Sequence, residues 1–545
     1  MAITNLPTAD YNADLRRTTR NSASDPFASV AAYSDQQSAA LPLLTPTSYC
    51  ARPELFLSEA ADTYIPRNSY ESEAAYSIRL SSALSSFEPY YRSLKNVTVG
   101  TALRKPIALA EDISTPDWDA LINNASLDGE SLTIFARRLL DSAIDAGWAG
   151  VLVDFPKVDG NISYAQEKSL GLRPYFQLVP FSDVLGWQST SETVQLGDEV
   201  RYGERLTQLR IREAINEPDP DDEFHQITRP AVRVFDQETT GGQVTCRLFV
   251  LKAAQAGQQE KWTLTEESTL GITVIPFVPC YAGEQEGYLR ARPLLLDIAR
   301  LNLAHWQCSA DLAHSLHLTS SPTLVISGVE TQGEGADLSV SPDKSLFLAS
   351  PDSKAQWIGA PSNGADVMLT RLKELELSMQ HLAPVQLQTK TTTGVEAAAA
   401  KKLDRAQSDS QLSVMVSQLE DCLNQALAIA ALYMNEVPVA LTLPRDFGPD
   451  PLSSGEIKEY AALVASGNLS QETFLRKLQS SECFDALDQW SVEEEMERLE
   501  EERPAVDLAQ LPPEEDADDD EDDENQNVAG ELDGATEDEP TPDDA

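Results

Sequence analysis

Apolar and polar positions along this chain change their spacing several times, and each change marks an element. Ala75, Ile78, Leu80 and Leu84 recur as on one helix face, and a second helix opens over Leu127 to Phe135 and ends at Gly147. The unbroken apolar run Gly150-Val-Leu-Val-Asp154 then reads as a buried strand. Between Arg173 and Pro279 the runs become short and rich in β-branched and aromatic residues: 175–179, 209–211, 232–235, 244–251, 262–264 and 272–275. With Gly241-Gly242 as a hairpin signal, they predict an antiparallel meander rather than a doubly wound sheet.

From Leu289 to Leu318 the pattern turns helical again, with Leu294, Leu295, Leu296, Ile298, Leu301, Leu303, Trp306, Leu312 and Leu316 on more than one face. A helix apolar all round has to be buried on several sides. One subunit offers too little partner surface by this reading, so burial against copies of the chain is expected. Short strand candidates follow at Ser321–Gly328, Ser345–Leu348 and Gln356–Ile358. Met368, Leu372, Leu375, Met379 and Leu382 then alternate at spacings of four and three, a seam for a neighbouring helix. A polar loop, Gln386 to Gly394, separates that seam from a long helix carrying Leu412, Met415, Leu419, Leu423, Ala426, Ala430 and Tyr433. Capping boxes at Ser453–Glu456 and Ser491–Glu494 and a helix–turn–helix break at Gly467–Gln471 make the C-terminal third helical. The fold class is α+β: long helices with an antiparallel meander.

Composition adds constraints. The first 62 residues are rich in Ser, Thr, Ala and Pro and predict an extended or partly ordered arm, and the acidic run Glu514–Glu524 predicts a disordered tail. With 41 Lys and Arg against 88 Asp and Glu, the formal net charge is −47, which argues against tight gripping of nucleic acid. No apolar run is long enough to cross a membrane. The segment Met1 to Pro7 lacks the basic and apolar regions of a signal peptide, and the six scattered cysteines have no CxxC pair. Reduced core thiols in a cytoplasmically made protein are expected.

The chain has no Walker A loop, HExxH, GxSxG or dinucleotide fingerprint. Asp154, at the end of a strand, sits where open α/β enzymes place catalytic carboxylates. No βαβ series or Gly-rich turn accompanies it, so a cap on the Phe155-Pro156 turn is the preferred reading. His305, His314 and His317 share one helix and invite a metal, but no convincing ligand set completes them, and structural or interfacial roles are favoured. The acidic Asp219–Glu223 stretch lacks the glycine and terminal glutamate of a calcium loop and reads as a solvated turn. No catalytic, cofactor or metal site is expected.

The order helix, small β excursion, helix, polar loop, long helix resembles the portal proteins of tailed bacteriophages, as does the Ile275-Pro-Phe277 step before the first of these helices. A further set is similar to a portal-like phage family once classed as of unknown function. It comprises Tyr64, Pro66, Glu71, Tyr76 and Arg79, then Gly100 with Arg104-Lys105-Pro106, then Gly150 to Pro156. The resemblance implies an N-terminal arm (1–62), a wing (63–287), a first stem helix (288–318), a clip (319–363) and a second stem helix (364–383). It continues with a tunnel loop (384–394), a long wing helix (395–436), crown-side helices (437–504) and an acidic tail (505–545). Gln386, Gln388, Thr389, Lys390, Thr391, Thr392 and Thr393 would line the channel and touch DNA phosphates without reading sequence.

The implied function is a non-enzymatic ring, dodecameric if it follows the family, at one capsid vertex of the virion, assembled in the host cytoplasm. It would serve DNA packaging, head–tail joining and genome ejection. The implied partners are double-stranded viral DNA, the major capsid protein, a head–tail adaptor and the terminase motor, with no membrane. The alternatives are another structural head–tail component or a soluble hydrolase using Asp154.

Overall fold

Serine hydroxyls start two of the N-terminal helices: Ser34 Oγ accepts from Gln37 N at 3.3 Å, and Ser72 Oγ from Ala75 N at 3.2 Å. Each satisfies a backbone donor that a helix start leaves unpaired. The structure is a computed structural model describing residues 25–502, apart from 70, 106, 110–114, 158–165, 167–169, 197–198, 220–221, 254–259, 321–322, 328–353, 359–362, 384–397, 446, 448–453 and 481–491. The chain divides into two units, 1–448 and 449–545.

The first unit opens with α1 (Asp35–Ala51), α2 (Pro53–Tyr64), α3 (Glu73–Ser85) and α4 (Tyr90–Ala102). The arm expected up to Asp62 is therefore helical from Asp35 onward, with Gln37, Leu44, Tyr49, Cys50, Leu57, Ala60 and Ala61 buried. Two internal prolines, Pro42 and Pro46, and many small residues hide α1 from a periodicity count. Its burial comes from close approach rather than from a wide apolar stripe. Gln37 Nε2 donates to Phe181 O at 2.8 Å, tying α1 to the sheet region.

After β1 (Ala108–Leu109) and α5 (Pro116–Asn123) comes α6 (Leu132–Ala146), which buries Leu132, Phe135, Ala136, Leu139, Leu140, Ala143 and Ile144 at helical spacing. Gly147, at φ +84°, ends it, and a Cβ there would lie 2.8 Å from Ala291 O. The next strand, β2 (Trp148–Asp154), is buried at every position up to Val153. β3 (Tyr175–Val179) pairs with it antiparallel, Gly150 facing Val179.

Five strands then form one sheet in sequential order: β4 (Val184–Leu196), β5 (Glu199–Pro218), β6 (Gln226–Asp236), β7 (Thr245–Ala253) and β8 (Glu260–Thr269). All neighbouring pairs are antiparallel, the meander that the sequence predicts. The 272–275 segment is not a strand; it bends with Ile272 and Ile275 buried, and β9 (Phe277–Tyr281) begins after Pro276. β9 pairs with the free edge of β2, so that β2 is the middle strand of three. The short ribbon β10 (Glu284–Gly287) and β11 (Arg290–Arg292) leads into α7 (Leu296–Ser320).

The strand pair β12 (Thr323–Ser327) and β13 (Lys354–Ile358), α8 (Asn363–Leu382) and α9 (Ala398–Met434) follow, and β14 (Leu441–Thr442) pairs back with β1. Every position of the apolar series from Leu412 to Ala430 is buried in α9, and Tyr433 stacks on Phe155 at 5.8 Å between ring centroids. One large core joins the N-terminal helices, β2, α7 and α9. A second centres on Trp148, whose indole meets Phe181 edge-on at 5.2 Å.

The second unit carries α10 (Ser454–Ala465), α11 (Gln471–Ser480) and α12 (Val492–Glu502). The break between the first two of these falls at Gly467, φ +70°, and Ser470 Oγ caps α11 by accepting from Thr473 N at 3.1 Å. Both expected capping-box serines, Ser453 and Ser491, and the acidic tail lie outside the described residues.

Candidate channel region

The apolar residues of α7 find their shelter within the chain. Leu295, Leu296, Ile298, Ala299, Leu303, Trp306, Ala310 and Leu312 are all buried in the single subunit. Trp306 Nε1 donates to Ala83 O in α3 at 2.7 Å, and its ring meets Phe87 edge-on at 5.9 Å. Asn302 clamps the start of α4, donating to Glu88 O at 2.9 Å and accepting from Tyr91 N at 3.0 Å. Gln307 Nε2 donates to Tyr64 O at 2.8 Å. The expectation that one subunit offers this helix too little partner surface is thus corrected for these residues, whereas Leu294 (38%) and Leu316 (50%) stay exposed. α1, α3 and α4 supply the partner surface, and a sequence reading that leaves α1 in an extended arm does not count it.

The dispersed set Tyr64, Pro66, Glu71, Tyr76 and Arg79 converges next to α7. Arg79 binds Glu71 through two bonds, Nε to Oε1 and Nη2 to Oε2, each 2.9 Å. The same Nη2 donates to Pro66 O at 2.9 Å, and the guanidinium lies over the Tyr76 ring, 5.3 Å from its centroid. Tyr76 OH donates to Ile65 O at 3.0 Å. The paired bonds from Arg79 hold the Glu71 carboxyl down at about 2. These residues lock the turn between α2 and α3, beside Tyr64, on whose carbonyl Gln307 docks.

α8 runs antiparallel to α7. Cys308 Sγ contacts Met368 O at 3.8 Å, and one turn back along α7 His305 Nε2 lies 3.6 Å from Glu376 Oε1, two turns onward along α8. Of the predicted seam, Leu372, Leu375 and Met379 are buried, Met368 is half-buried, and Leu382 is 53% exposed. Val367 (70%) and Leu377 (54%) also face outward. β12 and β13 join the two helix ends as a two-stranded antiparallel ribbon, Thr323 facing Ile358 and Ser327 facing Lys354. The expected strand at Ser345–Leu348 lies outside the described residues. So do all seven loop residues predicted to line a channel: Gln386, Gln388, Thr389, Lys390, Thr391, Thr392 and Thr393.

Asp154 has its oxygens engaged. Oδ1 accepts from Phe155 N at 2.9 Å, the turn cap that the sequence reading prefers. Oδ2 accepts from Tyr175 OH at 3.1 Å and from Arg233 Nη1 at 2.6 Å. Glu213 Oε1 lies 2.9 Å from Arg233 Nε, paired by charge but out of line for a hydrogen bond. Burial pushes the Glu213 carboxyl up against the pull of Arg233. For Arg233 burial works the other way, and Glu213 and Asp154 more than offset it, keeping the guanidinium charged. This is an ion network between the small sheet and the meander. Sequence reasoning caught the turn cap and missed Arg233 and Glu213, which only the register of β5 against β6 brings to Asp154.

Among the described residues, His314 and His317 join no group of metal-type ligands, whereas His305 meets Glu88 and Glu376. The five described cysteines are free thiols, four of them buried.

The comparisons with known proteins fall on this region. Residues 293–434 match a family described as "Domain of unknown function (DUF4055)". The match runs from the start of α7 to the end of α9, about a quarter of the chain, and does not extend over the Tyr64–Arg79 cluster. No curated protein matches. Among solved structures the chain is similar to a chain of the virion of a native gene transfer agent particle, at 11% identity and a TM-score of 0.35, covering 72% of this chain and 89% of that one. It is also similar to chains from the neck of an empty particle (11%, TM-score 0.37, covering 72% and 91%) and of a native one (12%, TM-score 0.36, covering 70% and 87%).

Proposed function

We propose that the chain is a structural subunit of a phage head–tail assembly, and specifically a portal-type ring through which double-stranded DNA passes without sequence readout. The observation that carries the reading is the order of α7, the β12–β13 ribbon, α8 and the long α9 between Leu296 and Met434. In it α7 and α8 form the stem, 319–363 with β12 and β13 the clip, 384–394 the tunnel loop, and α9 the wing helix.

Two features favour a neighbouring copy as partner. Among the described residues β12 and β13 pair only with each other, and a two-stranded ribbon is marginal in water and gains from added strands. On α8, Val367, Leu377 and Leu382 leave apolar surface outside the seam with α7. On the first stem helix Leu316, 50% exposed, adds to that surface. The acidic composition suits a conduit whose wall repels phosphates and lets them slide. In this reading the ring is dodecameric, sits in the virion at one vertex, and meets capsid protein, adaptor and terminase motor. Asp154, held by three donors, gives a hydrolase reading no support.

Light-scattering mass and negative-stain imaging of the purified full chain test the proposal. A closed ring with a central hole is the expected result. A chain that stays monomeric at every concentration at which it can be purified overturns it.

A further inference from the structure

The geometry points to a divalent transition-metal site, of the kind Zn²⁺ occupies, formed by Glu88, His305 and Glu376 where the loop before α4 meets α7 and α8. The ligand atoms of these three side chains lie within 4.8 Å of one another. His305 is 1% exposed, and neither of its ring nitrogens has a hydrogen-bond partner among the described residues. A buried imidazole with both nitrogens unpaired is costly unless something binds it.

Distance separates an ion from a direct bond. His305 Nε2 and Glu376 Oε1 are 3.6 Å apart, beyond a good hydrogen bond. Two atoms that bind a tetrahedral ion at about 2.0–2.2 Å are themselves about 3.3–3.6 Å apart. The pair is already at the spacing of two ligands on one ion. Glu88 is exposed and completes the set by a side-chain movement of about an ångström, toward ordinary bond lengths.

Charge argues the same way. Among the described residues neither Glu88 nor Glu376 is paired with a lysine or arginine. Tyr90 stands edge-on to His305, 5.1 Å between ring centroids. Bringing two carboxylates this close together is costly, and a dication removes that cost. One imidazole with two carboxylates leaves a further position for water and favours a borderline ion over Mg²⁺ or Ca²⁺, which take all-oxygen sets. The site would pin α7 and α8 to each other and to the entrance of α4. It does not depend on the ring reading and can be tested on any folded form of the chain.

The test uses the full chain, stripped of metal with a chelator and titrated with Zn²⁺. One Zn²⁺ per chain that survives dialysis, and a rise in melting temperature on rebinding, are expected. The cysteines and other histidines offer competing sites, so the deciding comparison is with Glu88→Gln and Glu376→Gln, each folded without metal. Both should bind Zn²⁺ at least about tenfold more weakly and lose the melting shift. Glu88 is exposed, so its variant isolates metal binding from folding. Zn²⁺ binding and melting shift unchanged in both variants, or no Zn²⁺ retained by the native chain, overturn the site and leave His305 as an ion-pair partner of Glu376.

Discussion

Glu71 and Arg79 show how much one pair of side chains organises. Their two parallel bonds sit at the turn between α2 and α3, which follows Tyr64, whose backbone oxygen receives Gln307. With its carboxyl held at about 2 in the folded chain and near the ordinary glutamate value when unfolded, Glu71 stabilises fully at neutral pH. That contribution fades as pH falls from about 5 through the folded value of about 2. Glu71→Gln should therefore lower the melting temperature most at neutral pH and progressively less in acid. A penalty that stays constant between about pH 6 and pH 3 would refute the assignment. In the sequence these residues are an unexplained order of types; in the fold they are one latch.

At the scale of elements, the three-stranded sheet has little tolerance at its centre. A Cβ on Gly150 would meet the Phe277 ring at 2.1 Å, and that ring is 6% exposed and held edge-on by Trp148 at 6.3 Å. Gly150→Ala should cost about 1–3 kcal/mol by overpacking, measured by urea unfolding, and Phe277→Leu in the same chain should recover part of it. An unchanged midpoint in the single variant would mean that the ring moves aside freely. Elements with strong periodicity are legible in the sequence: β2, most of the meander and the buried face of α9 fall where spacing places them, and α6 does too except that it starts at Leu132 rather than Leu127. The elements that spacing missed have identifiable reasons. α1 is built of small residues around Pro42 and Pro46, and the edge strand β4 alternates too weakly to stand out, while of the long β5 only 209–211 does. The metal-type group was half legible: His305 was visible as a candidate, but Glu88 and Glu376 lie on other segments that only packing brings to it.

For the whole molecule, the reading as a ring puts its functional weight on the loop 384–394 and its one basic residue, Lys390. In a chain of formal charge −47, one ammonium per subunit facing a channel would give weak, reversible phosphate contact rather than a grip. Lys390→Ala should leave ring mass unchanged while altering packaged DNA length or its dependence on salt. A defect confined to ring assembly would assign the loop to subunit contact instead. The way α7 is rooted has a practical consequence as well. The stretch shared with other proteins, 293–434, does not carry its own shelter: Trp306 rests on Ala83 and Phe87, and Cys422 reaches Val278 O at 4.0 Å. Anyone splicing that stretch into a chimera would have to transplant α3, the start of α4 and β9 along with it, or leave a bare tryptophan in water.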